Sequence, residues 1–238
     1  TPQPVASISK MFTALAALKL RDRGALALDD SLCVHLDDCP DAWRPITIDH
    51  LIHHRSGIPD YEERLELWSE AYLALMTQPN APAAILADAK TRPLEFAPGA
   101  KFRYSNTGYV ALAYALEHAS GASFAELLIG TVLEPAGMTH SGMLGTAATP
   151  KSMAVGYSYG DLGWARLLRG VPLTDGHLRP VPTLAMTPPQ GHAWLYATVD
   201  DLLAYSRQME GGAVVPPSLV VEVATAEEGY GAGWMEDR

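Results

Sequence analysis

VASISKMFTALAALKLRDRGALALDD, residues 5–30, carries two signals at once. Ile8, Met11, Phe12, Leu15, Leu18 and Leu20 recur at the spacing of a helix face, and Gly24 is placed to end that helix. At its start Ser7 and Lys10 form the pattern S-x-x-K. Residues three apart share a helix face, so the Ser7 hydroxyl and the Lys10 amine can meet. A serine hydroxyl is a poor nucleophile until a base takes its proton. A lysine can be that base if burial or a nearby cation lowers its pKa. The helix N-terminus adds partial positive charge, which favours a developing anion at Ser7. Taken alone the pattern is weak, and a solvated helix start is its ordinary meaning.

Helix signals continue outward from this stretch. Thr47 precedes a short helical segment predicted to end near Gly57. Residues 64–77 and 82–91 read as two more helices, and Ser105 to Ala119 as another, closed by Gly121. Ser123 and Glu126 form a capping box before the apolar run Leu127 to Leu133. Thr198 and Asp201 repeat that logic before Leu202 to Met209, with Gly211-Gly212 as the stop. Strand signals are sparse: Met153 to Tyr159, Gly229 to Met235 and the short Lys101 to Arg103. Residues 160–197, rich in Gly and Pro, read as long loops. So few strands leave two choices, an all-α fold or a sheet whose strands lie outside these residues.

Other residues could also carry chemistry. Tyr104-Ser105-Asn106 stands just before an apolar helix. A tyrosine beside a cationic lysine can be held partly ionised and act as a base. Asn106 offers a donor and an acceptor, suited to gripping an amide. The plain alternative is an N-cap at Ser105 with Tyr104 packed nearby. His50, His53 and His54 fall on one helix face and could bind zinc, but without H-E-x-x-H they read as structural histidines. Cys33 and Cys39 are either two unrelated buried thiols or a short-loop disulfide of an exported protein. The run Gly229-Tyr230-Gly231-Ala232-Gly233-Trp234 lacks the Lys-Ser/Thr of a phosphate loop and reads as a Gly-rich strand beside a cleft.

Composition excludes several classes. The 238 residues are 48% hydrophobic, enough for a large core. With 20 Gly and 18 Pro the chain lies below the roughly 25–30% that marks low complexity. A formal net charge of −10 supplies no basic face for a nucleic acid. Its longest apolar runs fall far short of the roughly 20 residues of a membrane span.

Several segments together resemble the serine β-lactamase/penicillin-binding-protein superfamily. The likeness is to its class C-like branch, with its D-amino-acid peptidases and β-lactamase-fold esterases. Residues 5–30 look like the nucleophile helix of that family. "ITIDHLIHHRSGIPDY" is similar to its L-x-x-H-x-S-G-[LI]-P segment, and "FAPGAKFRYSNTGYVALAYALEHASGASFAELLIGTVLEPAGM" to its P-G-x-x-[FY]-x-Y-S-N segment. "MAVGY", "YATVDDLLAY" and "GYGAGW" resemble later segments. Gly191-His192-Ala193-Trp194 departs from the usual Gly-Gly, and no K-T-G or H-x-G follows Trp234.

The resemblance implies an α+β fold, an α/β sandwich of the β-lactamase/transpeptidase type. Residues 1–238 would be one domain, with a prominent helical part over roughly 25–200 and flanking sheet strands beyond both ends. It implies a serine acyl hydrolase acting on a β-lactam, peptide amide or ester. D-Ala peptidase, carboxylesterase and a non-catalytic ligand-binding relative are the alternatives. Ser7 would be the acylated nucleophile, Lys10 its base or the tuner of its partner, Tyr104 the general base and acid, and Asn106 the substrate-amide holder. The backbone N–H of Ser7 would stabilise the oxyanion. No glutamate takes a deacylating role, which favours tyrosine chemistry. No cofactor or metal is implied, and the expected compartment is the periplasm or the exterior, or the cytoplasm for an esterase.

Overall fold

The computed structural model describes residues 1–65, 69–76, 78, 80–146, 149–159, 178–180, 191–210, 215–225 and 229–235. The helix around the S-x-x-K motif is α1, Ser9–Asp22. It starts later than predicted, because Ala6–Ile8 form a 3-10 turn that holds Ser7. Ile8, expected on the inward face, is 46% exposed in this tighter turn. The helix is not amphipathic: Ser9 to Leu18 and Leu20 are all buried. Ala14, Ala16 and Ala17 make it apolar all round, the pattern of a core helix. Gly24, at φ 70°, ends it as expected.

The other helices are α2 (Ile48–Ile52), α3 (Tyr61–Arg64), α4 (Glu70–Met76), α5 (Ala81–Lys90), α6 (Asn106–Ser120), α7 (Phe124–Leu128), α8 (Val199–Met209) and α9 (Pro217–Ala224). The buried α6 is the hub, and α1, α2, α3, α5 and α7 pack on it. Ser105 caps it by accepting the Gly108 N–H at 3.0 Å, and Gly121 turns the chain away at φ 68°. The Ser123–Glu126 capping box is present, and the Thr198 hydroxyl accepts the Asp201 N–H.

Three helix expectations change. Residues 64–77 hold the end of α3 and then a separate α4, with 66–68 and 77 outside the described residues. The segment after Thr47 ends at Ile52, short of Gly57, because His54 takes φ 55° and turns the chain back. The apolar run after Ser123 passes from α7 into a π turn at Ile129–Leu133. The stop at Gly211-Gly212 lies outside the described residues.

The fold is not all-α, because this chain builds its own small sheet. Strands β1 (Gln3–Pro4), β2 (Gly142–Met143) and β5 (Leu195–Ala197) run antiparallel in the order β1-β5-β2. Gln3 pairs with Ala197, and Met143 with Leu195. Val5 donates its N–H to the Leu195 carbonyl at 3.0 Å, which carries the ladder up to the 3-10 turn. Strands β3 (Tyr157–Tyr159) and β4 (Leu178–Pro180) form a second antiparallel pair. Thus 178–180 and 195–197, read as loop, are strands, while 160–177 and 181–190 lie outside the described residues. Of Met153 to Tyr159 only the last three residues are strand. Gly229 to Met235 is a tight turn with one bridge, Tyr230 to Met235. Lys101 to Arg103 is not a strand, although the Arg103 N–H donates to the His54 carbonyl.

Cys33 and Cys39 are joined as a disulfide, Cα atoms 5.3 Å apart, so the reading of two unrelated thiols is set aside. Alkylation without reductant is expected to leave the intact mass unchanged, and alkylation after reduction to add two groups. Two groups added without reductant would refute the bond.

Candidate active site

The site forms where the 3-10 turn, the start of α6, the segment before α3 and the start of β5 meet. Ser7 is exposed, at the mouth of a cleft of about 790 Å³. Two side chains converge on its Oγ. Lys10 Nζ lies 3.2 Å from it, and Tyr104 Oη donates to it at 3.0 Å. The Ser7–Lys10 approach expected from the sequence is present, although Ser7 itself sits in the 3-10 turn. Ala6, immediately before it, holds φ 46°, and His54 and Trp194, at 55° and 79°, are also close to this site. Such outliers cluster where surrounding contacts hold a chain in a working geometry.

Lys10 is 1% exposed and also donates to Asn106 Oδ1 at 2.7 Å and to the His192 carbonyl at 2.8 Å. Burial lowers its pKa from 10.5 to about 7, against the pull of Glu62 and Asp60, which act to raise it. Tyr104 shifts the other way. Burial lifts it above its ordinary value of 10, Ser7 pulls it down, and the carboxylates Glu62 and Asp60 push it up. The pair is therefore poised as a near-neutral amine beside a protonated phenol. Of the two expected arrangements, a lysine base with a lowered pKa and a tyrosine held partly ionised by a cationic lysine, these shifts favour the first.

Several residues that sequence reading passed over complete the site. Asp60 caps α3, accepting the Glu62 N–H at 2.7 Å, and it also accepts the Asn106 backbone N–H. Glu62 accepts from Asn106 Nδ2 at 3.0 Å and from the Tyr61 hydroxyl at 3.1 Å. Burial raises both carboxyls, and Lys10 acts to lower them. The only sequence hint was a cluster of acids directly after the S-G-I-P segment. Nothing local shows that Glu62 turns inward.

His192 is the departure from Gly-Gly that the sequence flagged. Its ring is buried, its pKa driven well below 6.5 by burial and by Lys10, and Nε2 lies 3.2 Å from Tyr61 Oη. The neighbouring Gly191 is needed for close approach: a Cβ there would meet the Tyr109 carbonyl oxygen at 2.6 Å and the Thr13 methyl at 2.9 Å. The Thr13 hydroxyl donates to the Gly191 carbonyl at 2.7 Å, so α1 fixes this segment.

The three histidines of the sequence reading go separate ways. His50 completes a capping box with Thr47, and His53 lies against Asp49 in the first turn of α2. His54 is buried under Tyr104, ring centroids 4.3 Å apart, and accepts the Ser105 N–H through Nδ1 at 3.0 Å. Tyr230, from the Gly-rich run, packs on His54 at 4.6 Å and so sits beneath the site. Among the described residues no group of three His, Cys, Asp or Glu is placed to hold a metal ion. Ser105 is the cap, as the plain alternative had it, and Tyr104 also reaches Ser7.

Comparison with known proteins identifies the family. A sequence model of the beta-lactamase family matches residues 1–237. Penicillin-binding protein 4* of Bacillus subtilis (strain 168) is 33% identical over 159 residues, covering 65% of this chain and 34% of that protein. Esterase EstB of Burkholderia gladioli is 31% identical over 255 residues, covering 97% and 64%. The chain thus spans about a third of the first relative and somewhat under two thirds of the second. The structure of a D-stereospecific amidohydrolase from Streptomyces sp. superposes with a TM-score of 0.78 at 26% identity, over 98% of this chain and 70% of that one. Match, fold and site converge: the chain belongs to the beta-lactamase family.

Proposed function

We propose that the protein is a serine acyl hydrolase working through an ester on Ser7. The observation that carries this is the convergence of Lys10 Nζ and Tyr104 Oη on Ser7 Oγ, at 3.2 and 3.0 Å, at the mouth of the cleft. Lys10, with a pKa of about 7, takes the Ser7 proton as Oγ attacks the acyl carbon. The oxyanion is held by the Ser7 backbone N–H. The bond to the leaving group then breaks, and that group takes the Tyr104 hydroxyl proton. The proton held by Lys10 restores Tyr104. Water completes the cycle by the reverse sequence and frees Ser7. Asn106 lines the cleft and is assigned to the substrate. The raised pKa of Tyr104 supports its use as the acid and gives the role of base to Lys10.

For the substrate we propose a carboxylic acyl compound: an ester first, then a peptide amide or a β-lactam. The esterase relative aligns over nearly the whole chain, the penicillin-binding protein over about two thirds. Leu144, Met153, Val155, Trp194, Tyr61 and Tyr72 make the cleft walls largely apolar, suited to an acyl group. We further propose a single domain, supported by one core cluster that runs from Val5 to Ala232. Export to an oxidising compartment is supported by the Cys33–Cys39 bond. No helix among the described residues is long and apolar enough to cross a membrane.

Incubation with a fluorophosphonate or a penicillin is expected to add one adduct, mapped to the peptide carrying Ser7. Parallel rates on a p-nitrophenyl ester, a D-amino-acid amide and a chromogenic cephalosporin rank the substrates. An adduct on any other residue would refute the assignment.

A further inference from the structure

Lys10, Asn106, Glu62, Tyr61 and His192 close a ring of hydrogen bonds behind the nucleophile. Lys10 Nζ donates to Asn106 Oδ1, Asn106 Nδ2 to Glu62 Oε2, and the Tyr61 hydroxyl to Glu62 Oε1. The Tyr61 hydroxyl has one hydrogen, which the carboxylate takes, so Tyr61 oxygen accepts from His192 Nε2–H. The carbonyl of His192 then accepts from Lys10 and closes the ring.

The ring matters because an amide can face either way. A carboxylate only accepts, so Glu62 forces Asn106 Nδ2 towards itself and Oδ1 towards Lys10. A neutral lysine has two N–H groups and one lone pair. Its two shorter contacts, 2.7 Å to Asn106 Oδ1 and 2.8 Å to the His192 carbonyl, take the two hydrogens. The lone pair is left for the third direction, Ser7 Oγ at 3.2 Å. With the amide reversed, Asn106 would offer Lys10 a donor, and the lone pair would turn to Asn106.

We propose that Glu62, held by Tyr61 and His192, is a positioning residue that locks the Asn106 amide and so aims the lone pair of Lys10 at Ser7. This rests on the reading of Ser7 as nucleophile and Lys10 as its base. The charged and titratable groups around Lys10 are Asp60 and Glu62 near α3, Tyr104 and Tyr109 at and after the start of α6, His54 below and His192 opposite.

The test compares acylation by a fluorophosphonate and by a neutral p-nitrophenyl ester in the wild type, Glu62→Leu and Glu62→Gln. Leucine offers no acceptor, and misaiming the base is expected to slow acylation by about 10²-fold. Glutamine can still accept from Asn106 Nδ2 through its Oε1, with the Tyr61–His192 pair reversed. It is expected to recover to within about tenfold of wild type. It is also expected to move the acidic limb of the rate profile to lower pH, because the charge that favours the Lys10 ammonium is gone. Equal rates for the two variants would show that only the charge matters and overturn the lock. A wild-type rate in Glu62→Leu would do the same. If the leucine variant does not melt cooperatively, Glu62→Met carries the same comparison. A wild type that takes no adduct on Ser7 would remove the underlying assignment, which is a different outcome from a labelled wild type with indifferent variants.

Discussion

Ser7→Ala is expected to lower kcat on an activated ester by on the order of 10⁴–10⁶ and to abolish covalent labelling, with KM nearly unchanged. The oxygen removed is the one on which Lys10 and Tyr104 converge, so both lose their reacting partner together. The cleft walls and Asn106 stay in place, and substrate binding stays with them. Ser7 is exposed, in the 3-10 turn, so the melting temperature is expected to move by less than the equivalent of about 0.5 kcal/mol. Steady-state kinetics with mass spectrometry decide the point, and a variant retaining a tenth of the turnover would exclude an acyl-enzyme on Ser7.

Lys10→Met is the second large effect, with an expected loss of about 10²–10⁴ in kcat/KM. The wild type is expected to gain activity as pH rises through about 7, where Lys10 becomes neutral, and then to level off. Methionine removes that limb. Stability follows the same group. The unfolded chain holds the Lys10 proton up to the ordinary value of 10.5, and the folded chain only up to about 7. Between these values the unfolded state binds one more proton, so stability rises with pH, by up to about 1.4 kcal/mol per pH unit. That contribution is lost as pH falls through about 7. Buried tyrosines with raised pKa values oppose it above about 10, because they favour the unfolded chain there. Thermal melts from pH 6 to 9.5 should therefore slope upward in the wild type and be flatter in Lys10→Met. Parallel slopes, or a wild-type rate independent of pH from 5.5 to 9, would refute a buried Lys10 acting as base.

Much of the helical frame was legible locally. Gly24, Ser105, Gly121, Ser123 and Thr198 mark helix ends by backbone conformation and side-chain caps, and such signals act over a few residues. The strands were not, because two or three residues carry no periodicity. Leu195 to Ala197 became the central strand only because Gln3 to Val5 and Gly142 to Leu144 came to lie on either side of it. The fully buried α1 read as amphipathic for a related reason: its spacing fits a stripe, and burial on the remaining sides depends on α6, α7 and α9.

The sequence by itself determined the candidate pair Ser7 and Lys10, since three residues of helical rise bring them together, and it marked Tyr104 and Asn106 through the segment around them. Tertiary structure alone decided how those groups are charged. The pKa of Lys10 falls to about 7 because 1% exposure keeps water from its ammonium, and that of Tyr104 rises because burial and two carboxylates disfavour a phenolate. Glu62, Tyr61 and His192 lie 51 to 185 residues from Ser7 and Lys10 along the chain, and no local pattern signals their approach. Desolvation and hydrogen-bond direction depend on what surrounds an atom in space, and only the packed fold supplies that.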